Sequence, residues 1–320
     1  MSLDELINLI SDEFLLNQRD VRHLLVTAPA RYKVHMIEKR HGRGKREIAQ
    51  PTKEIKAIQK FVLTSCLGDL KIHEAAKAYR KGTSIKQHAE MHVRNSYLLK
   101  LDFKDFFPSI TGEDLATYFL EFVTRDTVMV NLLCRLFLFE GKPRAHLRLS
   151  IGAPSSPCIS NAIMYPFDCE LDAHCKQKNA VYSRYADDIA ISTNEPRTLD
   201  EIKLFVEQLC KRLSYPRLRL NTDKTVFTSK KRNRHLTGLV LSNSNEVSIG
   251  REQKRLIRAM AHRYSFGDLD QAQTARLRGL LAFAWSIEPR FVDTVQRMIG
   301  ADMLDQLKRA TNPEITGNSA

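Results

Sequence analysis

The sequence predicts an α+β protein with a small antiparallel sheet near its centre and helices towards both ends. Three observations predict this class. Residues 181–192 alternate apolar and polar side chains around a turn, residues 97–102 form a short apolar run, and both ends of the chain repeat apolar side chains at helical spacing. With 320 residues, of which 43% are hydrophobic, the chain can bury a substantial core.

The N-terminal elements follow from capping and periodicity. Ser2 and Glu5 have the spacing of a capping box, which starts an amphipathic helix. A hairpin tip is predicted at residues 39–46, which hold two glycines and six basic side chains. Up to residue 70 the patterns predict a helix at residues 3–10 and a short helix at residues 21–25. They then predict a strand at residues 32–37, its return strand at residues 47–49 and a helix at residues 53–70.

The remaining elements follow in the same way. From residue 97 we predict a buried strand that breaks at Pro108, helices to about residue 139, a turn region, and a helix that begins near Cys158. Beyond these come a hairpin at residues 181–192 and a helix at residues 199–213. Short strands follow near 218–228 and 236–249, and two basic helices at about 251–264 and 271–287. About 30 residues of tail are expected after the last helix. Because no repeat or low-complexity linker interrupts the chain, we predict one compact unit.

The charge balance favours a polyanionic partner. The formal net charge is +13 and the sequence pI is near 9.5, and phosphate neutralisation supplies most non-specific affinity for nucleic acid. Solubility or an acidic membrane surface would also explain the charge. We predict neither a membrane span nor a signal peptide, because no apolar stretch is long enough.

The six cysteines favour a reducing compartment. They contain no C-x-x-C pair and no Cys/His spacing of a zinc site. We therefore predict buried free thiols and a cytoplasmic protein.

Three aspartates carry the predicted chemistry. Asp187 and Asp188 lie together at a hairpin turn, where like charges raise each other's pKa unless a cation compensates them. Asp102 ends the apolar strand that precedes them in the chain and is the natural third ligand. Mg²⁺ prefers such oxygen ligands, and two ions would support in-line phosphoryl transfer. The alternative is a solvated turn, which an isolated Asp-Asp usually is.

With these motifs the sequence resembles the reverse transcriptases, and most closely those of bacterial retrons, over residues 20–290. YADD at 185–188 is similar to the central polymerase motif, and LDFKDFFPSI at 101–110 is similar to its partner. The resemblance implies a right-hand polymerase of fingers, palm and thumb, with an antiparallel palm sheet and a helical thumb. We expect N-terminal helices and fingers at residues 1–95. The palm is expected at residues 96–235, with part of the fingers at 140–157, and the palm end and thumb at residues 236–320.

The resemblance also implies roles at the chemical step. Asp102, Asp187 and Asp188 fall on the metal-binding positions, and Phe103 falls on the residue whose backbone carbonyl joins them. Phe107 falls on the aromatic gate that excludes a ribose 2′-hydroxyl and so selects dNTPs. Lys224, in LNTDKT, falls on the lysine that approaches the triphosphate as a general acid or charge clamp. Its alternative is a surface lysine at a strand end.

Further dNTP contacts are implied in the fingers. IGAPSSP at 151–157 resembles the loop that supports template and nucleotide, but Ile151 replaces the family's usual Gln before Gly152. Lys39 and Arg46 in the charged hairpin are candidates for the β- and γ-phosphates. For Lys39 the alternative is a position in a solvated charged loop. For Arg46 phosphate binding is favoured over that alternative, because Arg46 begins a segment similar to the family's Arg-x-Ile-x-x-Pro signature.

Two partial matches indicate the retron subgroup. His88-Ala89-Glu90-Met91-His92 is similar to the Asn-Ala-x-x-His stretch of retron enzymes, with His in place of Asn. Leu236-Thr237-Gly238 is similar to their Val-Thr-Gly triplet. His88 and His92 could also suggest zinc, but no third ligand stands nearby. The expected RNA-binding residues are these two histidines, Thr237, Gly238 and a basic helical face at Arg251, Arg255 and Arg258.

The implied function is copying part of a structured noncoding RNA into a short single-stranded DNA, primed from a 2′-hydroxyl of that RNA. The expected partners are this cognate RNA, its DNA copy, dNTPs and a separate effector protein in phage defence. The alternatives are a reverse transcriptase of another lineage, of the group II intron or diversity-generating type, and a catalytically silent RNA-binding scaffold.

Overall fold

The structure is a computed structural model that describes residues 1–38, 44–141 and 146–309. The tip of the charged hairpin, with Lys39, lies outside the described residues. The helices are α1 to α14, at Leu3–Phe14, Gln18–Thr27, Lys53–Phe61, Ile85–Glu90, Phe106–Ser109, Gly112–Phe122, Thr127–Phe137, Ser156–Ile163, Tyr165–Gln177, Thr198–Arg212, Arg251–Ser265, Gln271–Ile287, Pro289–Ile299 and Ala301–Arg309. The strands are β1 to β11, at Tyr32–Glu38, Lys45–Pro51, Tyr97–Asp102, Phe139–Glu140, Leu147–Arg148, Ala180–Tyr185, Asp188–Thr193, Val226–Ser229, Arg234–Leu236, Leu239–Leu241 and Val247–Ser248.

The chain divides into two compact units, so the prediction of one compact unit is wrong. Unit 1 comprises Met1–Thr83 and Ser96–Phe227, and unit 2 comprises Ser84–Asn95 with the described residues from Thr228 on. The segment 84–95, which the domain prediction groups with the fingers, belongs to unit 2. The mixture of helices and antiparallel strands confirms the predicted α+β class.

The four-stranded sheet of unit 1 has the order β6-β7-β3-β8. β7 pairs antiparallel with both β6 and β3, and its register places Asp188 opposite Asp102. Apolar strand residues, among them Leu99, Leu101, Ile189 and Ile191, are buried in one core with the helices of the unit. The strand run and the hairpin alternation therefore place the predicted carboxylates at the same end of the sheet.

The β1-β2 hairpin is antiparallel, with Ile37 opposite Arg46. Its base is tied to the loop after β5, because the Ala49 amide donates to the Ile151 carbonyl at 2.9 Å. The IGAPSSP loop and the charged hairpin are thus neighbours within unit 1.

Unit 2 contains a three-stranded sheet of order β11-β10-β9 and the helices α4 and α11 to α14. Arg234 on β9 is fully buried, and its guanidinium donates to the carbonyls of Val93, Asn95, Leu241 and Ser242. This side chain fastens the end of the 84–95 segment to the β9-β10 hairpin.

Three predicted details are wrong. α3 ends at Phe61 and gives way to a single π-helical turn at Val62–Cys66. Pro108 lies inside the short helix α5 rather than at a strand break, because a proline fits the first turn of a helix, where its missing amide costs nothing. The expected tail is helical to Arg309, since Phe291, Val295 and Ile299 recur at helical spacing and are buried. Among the described residues, none of the helices combines the length and the apolar character needed to cross a membrane.

Candidate active site

The turn between β6 and β7 consists of Ala186 and Asp187 and carries the candidate catalytic carboxylates. Tyr185 and Asp188 close it as register partners. Ala186 has φ +59°, a conformation that two-residue hairpin turns require but that an alanine rarely adopts. The turn therefore holds Asp187 and Asp188 in a strained, defined geometry.

Asp102 completes the group from the adjacent strand β3. Its carboxylate oxygens accept hydrogen bonds from Lys224 Nζ at 2.9 and 2.8 Å and from Asn221 Nδ2 at 3.3 Å. Its backbone carbonyl accepts from the Asn221 amide at 2.7 Å. Asp102, predicted from the end of β3, and Lys224, predicted from LNTDKT, are therefore in direct contact.

The electrostatics of these carboxylates favour a cation. Desolvation, followed by the charges of Asp187 and Asp102, raises the pKa of Asp188 to about 6. Desolvation is also the main cause that raises the pKa of Asp187, whereas Lys224 and Arg46 lower it. Two aspartates with raised pKa values beside a third carboxylate form a site where added positive charge is favourable.

The donor set fits a hard divalent cation, although it is not arranged around one. In the described ranges, no group of three His, Cys, Asp or Glu side chains stands ready to hold a metal ion. The ammonium of Lys224 engages both oxygens of Asp102 and takes the place of a counterion. Because the available donors are carboxylate oxygens, the chemistry suits Mg²⁺ and would require Lys224 to release Asp102.

A buried ion pair lies directly beneath the turn, and the sequence patterns did not reveal it. Arg184 and Asp168 are both fully buried and form a bidentate pair. Arg184 also donates to the Ala186 carbonyl at 2.8 Å. Arg184 lies on β6, and only the fold brings Asp168 to it from α9.

Tyr79 is a second residue that sequence reasoning missed. The preceding segment runs alongside β6, with the Arg184 amide donating to Ala75 and the Lys77 amide donating to Arg184, both at 2.7 Å. Tyr79 then has φ +60° and is 53% exposed. Partial desolvation of its phenol, together with the charges of Asp187 and Tyr185, raises the pKa of Tyr79. Its backbone conformation is the signal, and no sequence pattern predicts it.

The residues of unit 1 that are predicted to contact the metal or the dNTP differ in their exposure to solvent. Phe107 is half-buried and its ring packs edge-on against Phe106 at 5.5 Å. The Phe103 side chain is buried and stacks on Phe106, which leaves its backbone for the predicted carbonyl role. Arg46 is exposed, and its charge acts on Asp187.

Gly152 holds a tight position in the IGAPSSP loop. Its φ is +121°, and a Cβ there would lie 3.1 Å from the Ala49 carbonyl oxygen and from the side chains of Ile48 and Gln50. Glycine is therefore required both by conformation and by the close approach of β2. Ile151 is half-buried beside it.

The two histidines of unit 2 lie in its interior. His88 and His92 are fully buried, with their rings 5.7 Å apart. Desolvation, with a smaller effect of His88, lowers the pKa of His92 to about 3. The structure thus supports a role in packing the 84–95 segment rather than in touching RNA.

Thr237 and Gly238 form the two-residue turn between β9 and β10. Both have positive φ, +47° and +82°, as a type I′ hairpin turn requires. A β-branched residue in this conformation is an outlier. Backbone strain of this kind clusters at functional sites.

The predicted basic face of α11 is present. Arg251, Arg255 and Arg258 are exposed, while Ile257 and Met260 are buried on the other side of the helix. The Arg258 guanidinium also lies over the Phe291 ring, 5.2 Å from its centroid. Unit 2 therefore presents a row of cations suited to phosphates.

The polymerase motifs, the antiparallel sheet and the carboxylate group together define a nucleic-acid polymerase, and comparison with known proteins supports this class. Residues 37–241, more than half of the chain, match the family described as reverse transcriptase (RNA-dependent DNA polymerase). The chain belongs to the reverse transcriptase family and is an RNA-directed DNA polymerase that takes an RNA template. Enzymes of this family generally use divalent metal ions.

Within that family the chain belongs to the retron reverse transcriptases. It is 40% identical over 294 residues to the retron Ec83 reverse transcriptase of Escherichia coli, covering 89% of this chain and 93% of that one. It is 27% identical to the retron Ec86 enzyme of Escherichia coli, over 90% of this chain and 88% of that one. It is 31% identical to the retron Ec73 enzyme of Escherichia coli, over 82% of this chain and 84% of that one. Among solved structures, an apo telomerase of Candida tropicalis is similar at a TM-score of 0.48 and 15% identity, over 70% of this chain and 56% of that chain.

Proposed function

We propose that this enzyme copies part of its own structured noncoding RNA into a short single-stranded DNA, primed from a 2′-hydroxyl of that RNA. The observation that carries this proposal is the 40% identity to a retron reverse transcriptase over 93% of its length. We further propose that the RNA and DNA act with a separate effector protein in defence against phage. Free cysteines with no disulfide among the described residues support a cytoplasmic site of action.

For the chemical step we propose that Asp102, Asp187 and Asp188, with the carbonyl of Phe103, hold two Mg²⁺ ions. The support is the register of β3 and β7, which places Asp102 opposite Asp188 beside the turn that bears Asp187. When bound, the ions supply activation of the attacking hydroxyl and stabilisation of the leaving pyrophosphate.

Lys224 then serves the leaving group. Its ammonium, exposed on one side and hydrogen-bonded to Asp102 on the other, lies within reach of a phosphate placed at the carboxylates. We assign it to hold or protonate pyrophosphate as this group departs.

The proposed dNTP pocket contains Arg46 and Lys39 for phosphates, Phe107 as the gate against a 2′-hydroxyl, and the backbone of Ile151 and Gly152. The support for Arg46 is its effect on the pKa of Asp187. The support for the loop is its hydrogen bond to β2, which links it to the hairpin that carries Arg46.

The proposed RNA-binding surface of unit 2 comprises Thr237, Gly238, Arg251, Arg255 and Arg258. The exposed arginines would neutralise phosphates, and the strained turn would present its backbone to RNA. His88 and His92 would act by holding the segment 84–95 in place.

The test is the nucleic acid that accompanies the enzyme in its native host. We expect one RNA species joined through a 2′-hydroxyl to a short DNA, found by sequencing the co-purified material. Asp187→Asn should abolish the DNA and leave the RNA bound, whereas Asp200→Asn, an exposed position at the start of α10, should change neither. Heterogeneous RNA with no attached DNA, from enzyme that extends primers normally, would reject the retron function.

A further inference from the structure

Arg184 lies among buried polar partners on β6 and α9. Its Nε and Nη2 donate to the two oxygens of Asp168 at 2.9 and 2.6 Å, and Tyr182 Oη donates to the same carboxylate at 2.6 Å. Arg184, Tyr182 and Asp168 are buried. Since apolar side chains of similar volume often replace a buried ion pair without loss of stability, a reason for keeping this pair must lie elsewhere.

The third nitrogen of Arg184 supplies that reason. Nη1 donates to the Ala186 carbonyl at 2.8 Å and to Asn161 Oδ1 at 3.2 Å. Ala186 is the residue with positive φ immediately before Asp187. A rigid guanidinium, anchored at both oxygens of Asp168, is therefore aimed at the strained peptide of the turn.

The same group reaches the loop that bears Tyr79. Asn161 Nδ2 donates to the Ala78 carbonyl at 2.8 Å, and the backbone of Arg184 pairs with residues on both sides of Ala76. One buried network thus joins two positions with positive φ, Ala186, which precedes Asp187 in the chain, and Tyr79, whose phenol pKa is raised in part by the charge of Asp187.

We propose that Arg184, anchored by Asp168, is a positioning residue of the polymerase: it holds the Ala186 peptide in its left-handed conformation and, through Asn161, holds the Tyr79 loop beside Asp187. Arg184 is fully buried and cannot touch RNA, DNA or dNTP. It acts through the placement of Asp187, and the inference rests on the proposed role of Asp187 as a metal ligand. Misplacement of a reacting group by about 1 Å costs about a hundredfold in rate.

Three variants test this in primer extension with the full-length chain. Arg184→Lys keeps the charge but cannot bond Asp168 at both oxygens and Ala186 together. Arg184→Met/Asp168→Leu/Tyr182→Phe removes the ion pair and the tyrosine hydroxyl together, so that no buried charge is left uncompensated, and it deprives the Ala186 carbonyl and Asn161 Oδ1 of the guanidinium. We expect both to lower kcat about a hundredfold while the KM for RNA-primer duplex stays near that of the wild type.

The third variant is a rescue. Glycine adopts positive φ without strain, so Ala186→Gly in the Arg184→Lys background should restore at least about a tenth of the wild-type kcat if the guanidinium acts by holding φ. A purely structural role for Arg184 predicts no rescue. The matched control is Arg212→Met/Glu170→Leu, an exposed ion pair between α10 and α9, which should retain wild-type kcat.

The outcomes separate this inference from the assignment of the metal site. If Asp187→Asn retains activity, the metal-site assignment fails. If Asp187→Asn is inactive but Arg184→Lys, or a folded apolar triple variant, has wild-type kcat, the positioning role of Arg184 is overturned. Should the triple variant not fold, Arg184→Lys with its rescue decides alone, since lysine preserves the buried charge.

Discussion

Lys224 Nζ lies 2.8 and 2.9 Å from the two carboxylate oxygens of Asp102, so the general-acid candidate and the metal-ligand candidate are paired with each other. The pairing implies that a bound cation must displace the ammonium, which then turns to the leaving group. We predict that Lys224→Met lowers kcat about a hundredfold, the usual contribution of one general acid, and reduces the Mg²⁺ concentration for half-maximal activity. Primer extension over a magnesium titration measures both quantities.

Lys178→Met is the control for that experiment. Lys178 pairs with Glu201 on the surface of unit 1, and its loss should change neither quantity. A Lys224→Met enzyme that needs more Mg²⁺ than the wild type would contradict the competition between the ammonium and the metal.

Gly152→Ala is predicted to disturb the nucleotide loop. The added methyl group would meet three atoms of β2 at 3.1 Å, and φ +121° is strained for alanine. We expect a loss of about 2 kcal/mol in stability and a kcat/KM for dNTP lowered at least about tenfold. Gly267→Ala, which also has positive φ but no atom within 4 Å of the new Cβ, should reduce stability by a similar or smaller amount and leave kcat/KM intact.

Ile151→Gln restores the amide that the family usually has before this glycine. Because the amide can hydrogen-bond near the nucleotide sugar, we expect a lower misincorporation rate. A primer-extension fidelity assay measures it, with Ile151→Leu as the apolar control. An unchanged or higher rate in Ile151→Gln would show that the amide does not act there.

Arg255→Ala should weaken RNA binding without changing its sequence preference. Arg255 is exposed on α11, and one lost phosphate contact reduces the slope of log affinity against log salt by about one. Fluorescence anisotropy with an RNA hairpin at several KCl concentrations checks this. Arg297→Ala, an exposed arginine on α13, is the control and should leave the slope unchanged.

The buried His92 predicts a loss of stability in mild acid. Its pKa is about 3 in the folded protein and 6.5 without the fold, so the unfolded chain binds the proton first as the pH falls. The stability is complete above about pH 6.5 and declines between pH 6.5 and 3, by up to about 2 kcal/mol at pH 5. Chemical denaturation at pH 7 and pH 5 measures the difference.

Two variants bracket the histidine prediction. His92→Gln removes the titrating group and should show a smaller difference between the two pH values than the wild type. His235→Gln, at an exposed position on β9, should behave as the wild type does. Equal pH dependence in wild type and His92→Gln would contradict the effect.

Much of the fold follows from the sequence because its elements carry local signals. The alternation around Ala186 predicts β6 and β7, and the periodicity of α11 and α12 predicts their bounds to within about one residue. No helix is predicted beyond residue 287, whereas the structure continues with α13, which has Pro289 in its first turn. The π-helical turn after Phe61 has no local signature at all.

The residues of the candidate site also differ in whether local sequence signals predict them. Asp102, Asp187 and Asp188 were predicted because motif spacing and strand ends are visible in sequence. The Arg184-Asp168 pair and the Tyr79 loop were not, because partners from α9, β6 and the segment before α4 meet only after folding. Long-range side-chain pairing and positive φ at a non-glycine residue are tertiary properties, and no single-sequence pattern records them.

The interleaving of the two units along the chain has a practical consequence. Because Ser84–Asn95 packs with the C-terminal unit although unit 1 residues flank it on both sides, no single cut of the polypeptide yields two intact halves. Separation of the chain at residue 227 would leave the twelve residues 84–95 in the N-terminal fragment, away from the rest of unit 2. The carbonyls of Val93 and Asn95 would then lose their hydrogen bonds from the buried guanidinium of Arg234. Split-enzyme designs would therefore have to divide the gene twice or permute its ends.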